Sequence, residues 1–352
     1  MFLKFYGLKE QPFGVTPDPR YLYLSPAHRE ALASLFYGIE VGRGFLALIA
    51  KPGMGKTTLL FHLLEKFRAS AKTAFLFQTQ CTSREFMRFL LAELGYDTAD
   101  HDFVKMHEEF NKHLLREARA GNRFIVVVDE AQNLDPSVLE TIRLLSDFET
   151  PRAKLLQIVL AGQPELADKL ASRNMAQLRQ RISLVSGLKP LSAGDTRNYI
   201  QHRLRVAGYG GGSLFTPQAL VDTAEFTEGI PRNINNFCFN AMSLACAMRQ
   251  PTIDAAIVRE VISDLDISQY VTQPRPPERS VARIATGPEN GRSEYEWPKA
   301  RPVETLAPVT GKAADVAPGP LPRRKGKGET LTPTEARAYL EQITRSLKGG
   351  QS

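Results

Sequence analysis

Residues 45–58 read Phe45-Leu46-Ala47-Leu48-Ile49-Ala50-Lys51-Pro52-Gly53-Met54-Gly55-Lys56-Thr57-Thr58. An apolar run leads into a loop with two glycines, and a Gly-Lys-Thr-Thr opens the next segment. This is the strand–loop–helix layout of a phosphate-binding loop. Gly53 and Gly55 let the backbone turn so that successive N–H groups point inward at phosphate oxygens. The helix beginning near Thr57 adds its positive dipole end. Lys56 supplies a charge for the β- and γ-phosphates, and Thr57 supplies a hydroxyl for Mg²⁺. The first position of such loops is commonly glycine. Here it is Ala50, which is still small.

A second segment makes the first specific. Phe124-Ile125-Val126-Val127-Val128-Asp129-Glu130 is a β-branched run ending in two carboxylates. Such a run suits a buried strand of a parallel sheet, and its carboxyl end is where open α/β sheets bind ligands. Asp129 is expected to hold Mg²⁺, directly or through water. Glu130 is expected to polarise the attacking water as general base. The two segments together point to ATP as ligand, Mg²⁺ as its metal and hydrolysis as the reaction.

Around these segments the chain reads in three parts. From Phe5 to about Leu191 helical and strand patterns alternate, which predicts an α/β unit with a parallel sheet. Strands are expected at Phe45–Ile49, Thr73–Gln78, Phe124–Val128, Leu155–Ala161 and from Ile182. Helices are expected at Ser83–Leu94, Phe103–Ala120 and Pro136–Phe148, and after the loop through Leu59, Leu60, Leu63, Leu64 and Phe67. From Ser192 to about Ile267 the pattern is purely helical, with helices at Ala193–Val206, Pro217–Phe226, Arg232–Met248 and Asp254–Asp264. Asp195 and Thr216-Pro217 read as helix starts. From 268 to 331 periodicity is lost, and nearly half of the 23 prolines lie beyond Val271. This predicts a disordered or semi-rigid linker. Residues 332–352 could form a short amphipathic helix, with Tyr339, Leu340, Ile343 and Leu347 on one face.

The net charge of +7 is unevenly placed. About +5 of it falls within Val271–Ser352, including Arg323-Arg324-Lys325-Gly326-Lys327. A basic tail suggests an anionic partner such as DNA. Cys81, Cys238 and Cys246 are too few and scattered for a disulfide framework or a zinc site, which fits a reducing cytosol. No apolar run approaches a membrane span, and the first residues lack a signal-peptide layout. A soluble, cytoplasmic protein is expected.

A phosphate-binding α/β unit followed by a small helical lid resembles the AAA+ ATPases. That resemblance implies a three-layer sheet and further site residues. Gln163 stands where AAA+ proteins place sensor 1, a polar side chain that orients the attacking water. Arg181 precedes the last strand and is chosen over Arg179 as an arginine finger acting in trans in a homo-oligomer. Arg232, at the start of a lid helix, matches sensor 2. At closer range the chain is similar to the ExeA/GspA group, the general secretion pathway protein A ATPases. The residues that carry this are Tyr6-Gly7-Leu8, Pro12-Phe13, Pro17-Asp18-Pro19, His28-Arg29-Glu30-Ala31, Asp129-Glu130-Ala131-Gln132, Ala161-Gly162-Gln163-Pro164-Glu165-Leu166 and Ile230-Pro231-Arg232-Asn233-Ile234-Asn235. The resemblance spans roughly residues 1–267 and implies that the segment around Phe13 to Tyr23 packs near adenine. It divides the chain into an ATPase unit (1–191, with an adenine-side segment at 1–40), a lid (192–267), the linker and the terminal helix. Membrane-bound members of the group carry a transmembrane helix and a peptidoglycan-binding domain after the ATPase, where this chain has its Pro-rich tail.

Three functions follow as expectations. The first is ATP-driven assembly or remodelling of a secretion or pilus system, with a membrane component as partner. The second is a DNA-binding regulator like the TniB/TnsC transposition ATPases. The third is a nucleotide-gated scaffold with little turnover, against which Glu130, Gln163 and Arg181 argue. A helicase would need a second motor domain for which the chain has no room.

Overall fold

The structure, a computed structural model, describes residues 2–265 apart from Gln78, Pro151 and Arg152. These residues belong to one unit. A short helix α1 (Phe2–Phe5) is followed by α2 (Pro26–Glu40), an element the sequence reading did not resolve. Ser25 caps α2 and Pro26 occupies its first turn, where a missing N–H costs nothing. Then come β1 (Phe45–Ile49), α3 (Lys56–Phe67), β2 (Ala71–Leu76), α4 (Ser83–Glu93), α5 (Phe103–Arg119), β3 (Arg123–Val128) and α6 (Pro136–Leu145). A small hairpin, β4 (Glu149–Thr150) and β5 (Ala153–Lys154), precedes β6 (Leu156–Gly162), α7 (Pro164–Ala171), α8 (Ala176–Arg181) and β7 (Ile182–Gly187). Four helices follow: α9 (Ala193–Val206), α10 (Pro217–Phe226), α11 (Pro231–Ala247) and α12 (Ala255–Asp264).

The five long strands form one parallel sheet in the order β2-β3-β6-β1-β7. Strands β1, β3 and β6 sit in its middle and are apolar along nearly their whole length, because helices cover both faces. Alternate residues serve opposite faces. Val126 and Val128 join Phe86, Phe110, Leu139 and Leu166 in one core layer. Ile125 and Val127 join Leu35, Leu48, Leu59 and Leu63 in the other. The register places Ile49 beside Gly162 and Val128 beside Leu160, so β1, β3 and β6 end together. The Gly-bearing loop, the Asp129-Glu130 pair and Gln163 therefore leave the sheet at one edge.

The second strand lies two residues earlier than expected, at Ala71–Leu76. Phe75 and Phe77 made the later stretch look strand-like, but pairing with β3 sets the register, and Phe77 is 57% exposed. The hairpin β4–β5 was not anticipated. Asp195 lies in the first turn of α9, and Ser192 caps the helix, accepting from the Asp195 N–H while its hydroxyl donates to the Asp195 carboxylate. Thr216 caps α10 as expected. The linker at 268–331, its basic cluster and the terminal helix at 332–352 lie outside the described residues.

The four terminal helices enclose a separate core around Ile200, Leu204, Phe215 and Phe237. The start of the chain packs there too, with Tyr6, Leu8 and Phe13 buried in that core. Tyr6 donates to the Met242 carbonyl, and the Lys9 N–H to the Ala207 carbonyl. No helix among the described residues is long and apolar enough to cross a membrane.

Burial holds His28, His62, His107, His113 and His202 below the usual histidine value of 6.5. An unfolded chain takes up protons as the pH falls through that value, whereas the folded chain resists until lower pH. Stability from these groups is therefore complete above about pH 6.5 and declines below it. His28 is the most enclosed of the five and contributes at most about 1.4 kcal/mol per pH unit over that window. Denaturant midpoints at pH 7.5, 6.5 and 5.5 are expected to fall mainly in the last step. A midpoint that rises at pH 5.5 would contradict this.

Candidate functional site

The loop between β1 and α3 begins by extending the sheet, with the Ala50 N–H donating to the Gly162 carbonyl at 3.0 Å. Gly53 and Gly55 then adopt positive φ of 76° and 85°. Gly55 is the residue before α3, so the helix opens with its first N–H groups facing the cleft. Ala50 is not among the positive-φ residues and its methyl is buried in the core, so the backbone there does not require glycine.

Lys56 lies in the first turn of α3, 5% exposed, and donates to the Ala50 carbonyl at 3.1 Å. Burial lowers its pKa, opposed by the nearby carboxylates of Glu130 and Asp129. Met54 is fixed from behind by His28. The Met54 carbonyl only accepts, so the His28 Nε2 at 3.0 Å carries the proton, and Nδ1 faces the Ser25 hydroxyl at 2.7 Å. Burial favours this neutral ring.

Asp129 and Glu130 follow β3 and separate sharply in environment. Asp129 is 2% exposed and accepts from the Thr57 hydroxyl at 2.5 Å and from the Glu130 N–H at 2.9 Å. Burial raises its pKa despite those bonds. Glu130 has φ of 52°, a left-handed conformation that costs a residue with a Cβ about 1–2 kcal/mol. Its carboxylate accepts from Gln132 Nε2 at 2.7 Å and Gln163 Nε2 at 3.1 Å, both on Oε2. Burial would raise Glu130, but these two bonds and the charges of Lys56 and Arg232 outweigh it and hold the carboxyl below its usual value. Both donors fall on Oε2, so Oε1 is the oxygen available to a water molecule.

Gln163 immediately precedes α7, and its own N–H donates to Gln132 Oε1 at 3.1 Å. Glu130, Gln132 and Gln163 thus form a closed triangle across the ends of β3 and β6. Gly162 makes it possible, since a Cβ there would lie 2.9 Å from Gln132 Oε1 and 2.7 Å from Leu166 Cδ2.

The lid meets the loop directly. The Arg232 N–H donates to the Gly53 carbonyl at 3.1 Å, and a Cβ on Gly53 would come within 2.8 Å of Arg232 Cβ. The cleft is walled by the loop from Gly53 to Thr58, by Glu130, by the lid residues Arg203 and Arg232, and by Gly14 to Asp18. The expected adenine-side segment, Phe13 to Tyr23, therefore contributes one wall. Buried Arg203 ties it to the lid, donating to the Pro12 carbonyl at 2.5 Å with its guanidinium 4.7 Å from the Tyr21 ring.

Lys56, Thr57, Thr58, Glu130 and Arg232 all line this cleft, and Asp129 and Gln163 join it through Thr57 and Glu130. Arg181 and Arg179 are not among its lining residues. Arg181 pairs with Asp147 and donates to the Ser146 hydroxyl at 2.8 Å, whereas Arg179 donates to the Ala171 carbonyl at 2.8 Å. His28, Gln132 and Arg203 are site residues to which sequence reasoning gave no role. His28 and Gln132 lie within segments that carry the family resemblance.

Residues 39–170 match the AAA domain family. Over 249 residues the chain is 42% identical to General secretion pathway protein A of Aeromonas hydrophila, covering 70% of this chain and 45% of that protein. The chain thus spans less than half the length of that relative. The fold is similar to the ORC2 protein of Aeropyrum pernix, with a TM-score of 0.58 at 15% identity over 73% of this chain and 71% of the other. It is also similar to CDC6P of Pyrobaculum aerophilum, with a TM-score of 0.56 at 17% identity over 72% and 70% of the two chains. On the fold, the matched domain and the secretion-pathway relative, the chain carries an AAA domain on a P-loop fold and resembles the general secretion pathway protein A group.

Proposed function

We propose that this chain binds ATP with Mg²⁺ in the cleft between sheet and lid, hydrolyses it, and does so as a subunit of a homo-oligomer serving a secretion- or pilus-type envelope system. The observation that carries hydrolysis is the triangle of Glu130, Gln132 and Gln163. A site built only to hold nucleotide has no use for an ionised carboxylate oriented by two amides. The A. pernix ORC2 structure is described as ADPNP and ADP complexes, which supports an adenine nucleotide as ligand.

The residues present fit Mg²⁺. A half-buried hydroxyl and a buried carboxylate already meet at 2.5 Å beside the positive-φ loop. Thr57 and Asp129 are the groups that would hold the ion, which when bound would neutralise phosphate charge. Lys56 and the N–H groups of the loop bind phosphate oxygens. Glu130 accepts a proton from water through Oε1, and Gln163 orients that water. Arg232 comes from the lid and joins the position of α11 to the state of the loop. Arg181, outside its own cleft, suits a role at a neighbouring subunit's site, where it would first leave Asp147. The secretion role rests on the name of the A. hydrophila relative. The DNA-regulator reading shares the loop, the Asp129-Glu130 pair and the lid with the first, and the basic tail that favours it lies outside the described residues.

Lys56→Ala tests the binding half. The ammonium is buried against the loop, where it donates to the Ala50 carbonyl, so its loss should weaken MgATP binding tenfold or more, by about 1.5–3 kcal/mol. Equilibrium titration with a fluorescent ATP analogue reads this, and unchanged affinity would refute the assignment.

A further inference from the structure

We propose that Lys169 is a positioning residue for hydrolysis, acting through Gln132; this rests on the hydrolytic reading above. Lys169 lies near the end of α7 and outside the cleft lining. Its ammonium donates to the carbonyls of Gln132 at 2.6 Å and Leu134 at 2.7 Å. Those carbonyls belong to the turn Ala131–Leu134, which begins at the left-handed Glu130. The turn has few bonds of its own, with Asn133 N–H to the Glu130 carbonyl at 3.0 Å and Leu134 N–H to the Ala131 carbonyl at 3.2 Å. Two charge-assisted bonds from one ammonium are therefore a large share of what fixes it.

What the turn presents is Gln132. Both ends of its side chain are used, Nε2 donating to Glu130 and Oε1 accepting from the Gln163 N–H. Gln132 thus sets the relative position of the proposed base and the proposed water-orienting residue. Its backbone is held by Lys169 and its side chain by the two residues it aligns. Because Gln163 is the residue that leads directly into α7, one helix and its cap supply both a corner of the triangle and the clamp on the opposite corner. Releasing the clamp leaves the phosphate loop untouched and lets Gln132 drift. Displacements of an ångström in such positioning groups cost up to two orders of magnitude in rate.

The test is a double-mutant cycle on the full chain, with Lys169→Met and Gln132→Ala separately and together, reading phosphate release and binding of a fluorescent ATP analogue. Lys169→Met should lower kcat about tenfold with analogue affinity within twofold of wild type, and Lys169→Arg should retain most turnover. In the Gln132→Ala background Lys169→Met should change kcat by less than about twofold, because the residue it acts through is gone. Lys169→Gln, which removes the charge behind both bonds while keeping a polar head, gives the same cycle if the Met variant folds poorly. Wild-type turnover in Lys169→Met overturns the proposal, as does a tenfold loss that is the same in both backgrounds. A wild-type chain that binds the analogue and never releases phosphate overturns the hydrolytic reading and this one together.

Discussion

Gly229→Ala is expected to destabilise the chain by about 3 kcal/mol or more. Gly229 has φ of 65°, and a Cβ there would lie 2.0 Å from the Leu191 carbonyl oxygen, with Leu191 N at 2.9 Å and C at 3.0 Å. All three are backbone atoms, so no side chain can rotate away. The Leu191 N–H also donates to the Gly229 carbonyl at 2.8 Å, so the two strands of chain cannot part without losing that bond. The left-handed backbone alone accounts for about 1–2 kcal/mol, and overpacking adds about 1–3 kcal/mol. Leu191 leads into α9 and Gly229 into α11, so the variant also shifts the helix that carries Arg232. Gly95→Ala separates the two contributions. Its φ is 79° but nothing lies within 4 Å of the added methyl, so it should cost only the backbone share. Equal losses for the two variants in denaturant unfolding would show that the close approach at Leu191 is not real.

Glu130→Gln should lower ATP turnover by about two to four orders of magnitude while leaving ATP bound. The amide is the same size and can still accept from Gln132 or Gln163 through its oxygen, so the triangle survives and only the proton acceptor is lost. Thr57, Asp129 and Lys56, the groups proposed to hold the ion and the phosphates, are unchanged. ATP-trapped assemblies would follow if subunits associate through nucleotide. A variant that turns over at the wild-type rate would remove Glu130 as general base, and one that fails to bind ATP would show that its charge serves binding instead.

The parts of the fold legible in the sequence are those in which burial writes a pattern. The runs at Phe45–Ile49 and Phe124–Val128 are apolar on both faces because the sheet is covered on both sides, and each ends at the site. The lid helices repeat their apolar residues at helical spacing. The hairpin β4–β5 was illegible because strands of two residues carry no period. At β2, Phe77 extends an apolar alternation that the pairing with Arg123–Val128 does not use. In the site, the loop and the Asp129-Glu130 pair were legible because backbone geometry and charge demand particular residues at fixed spacing. Gln132, His28 and Arg203 were not, because each gains its role from a partner remote in sequence: Gln163, Met54 and Pro12. Nothing local distinguishes them from solvated polar residues. Ala50 also became intelligible only in three dimensions, where its buried methyl and ordinary backbone remove the need for glycine.

Whether the Ala50–Thr58 loop and the Asp129-Glu130 pair make one ATP-hydrolysing site is tested most directly by phosphate release from the 352-residue chain with ATP and Mg²⁺. The same preparation should be measured with Mg²⁺ chelated. Turnover that requires Mg²⁺, with about one ATP bound per chain, is the result expected. Stoichiometric ATP binding with no phosphate released at any protein concentration would contradict it.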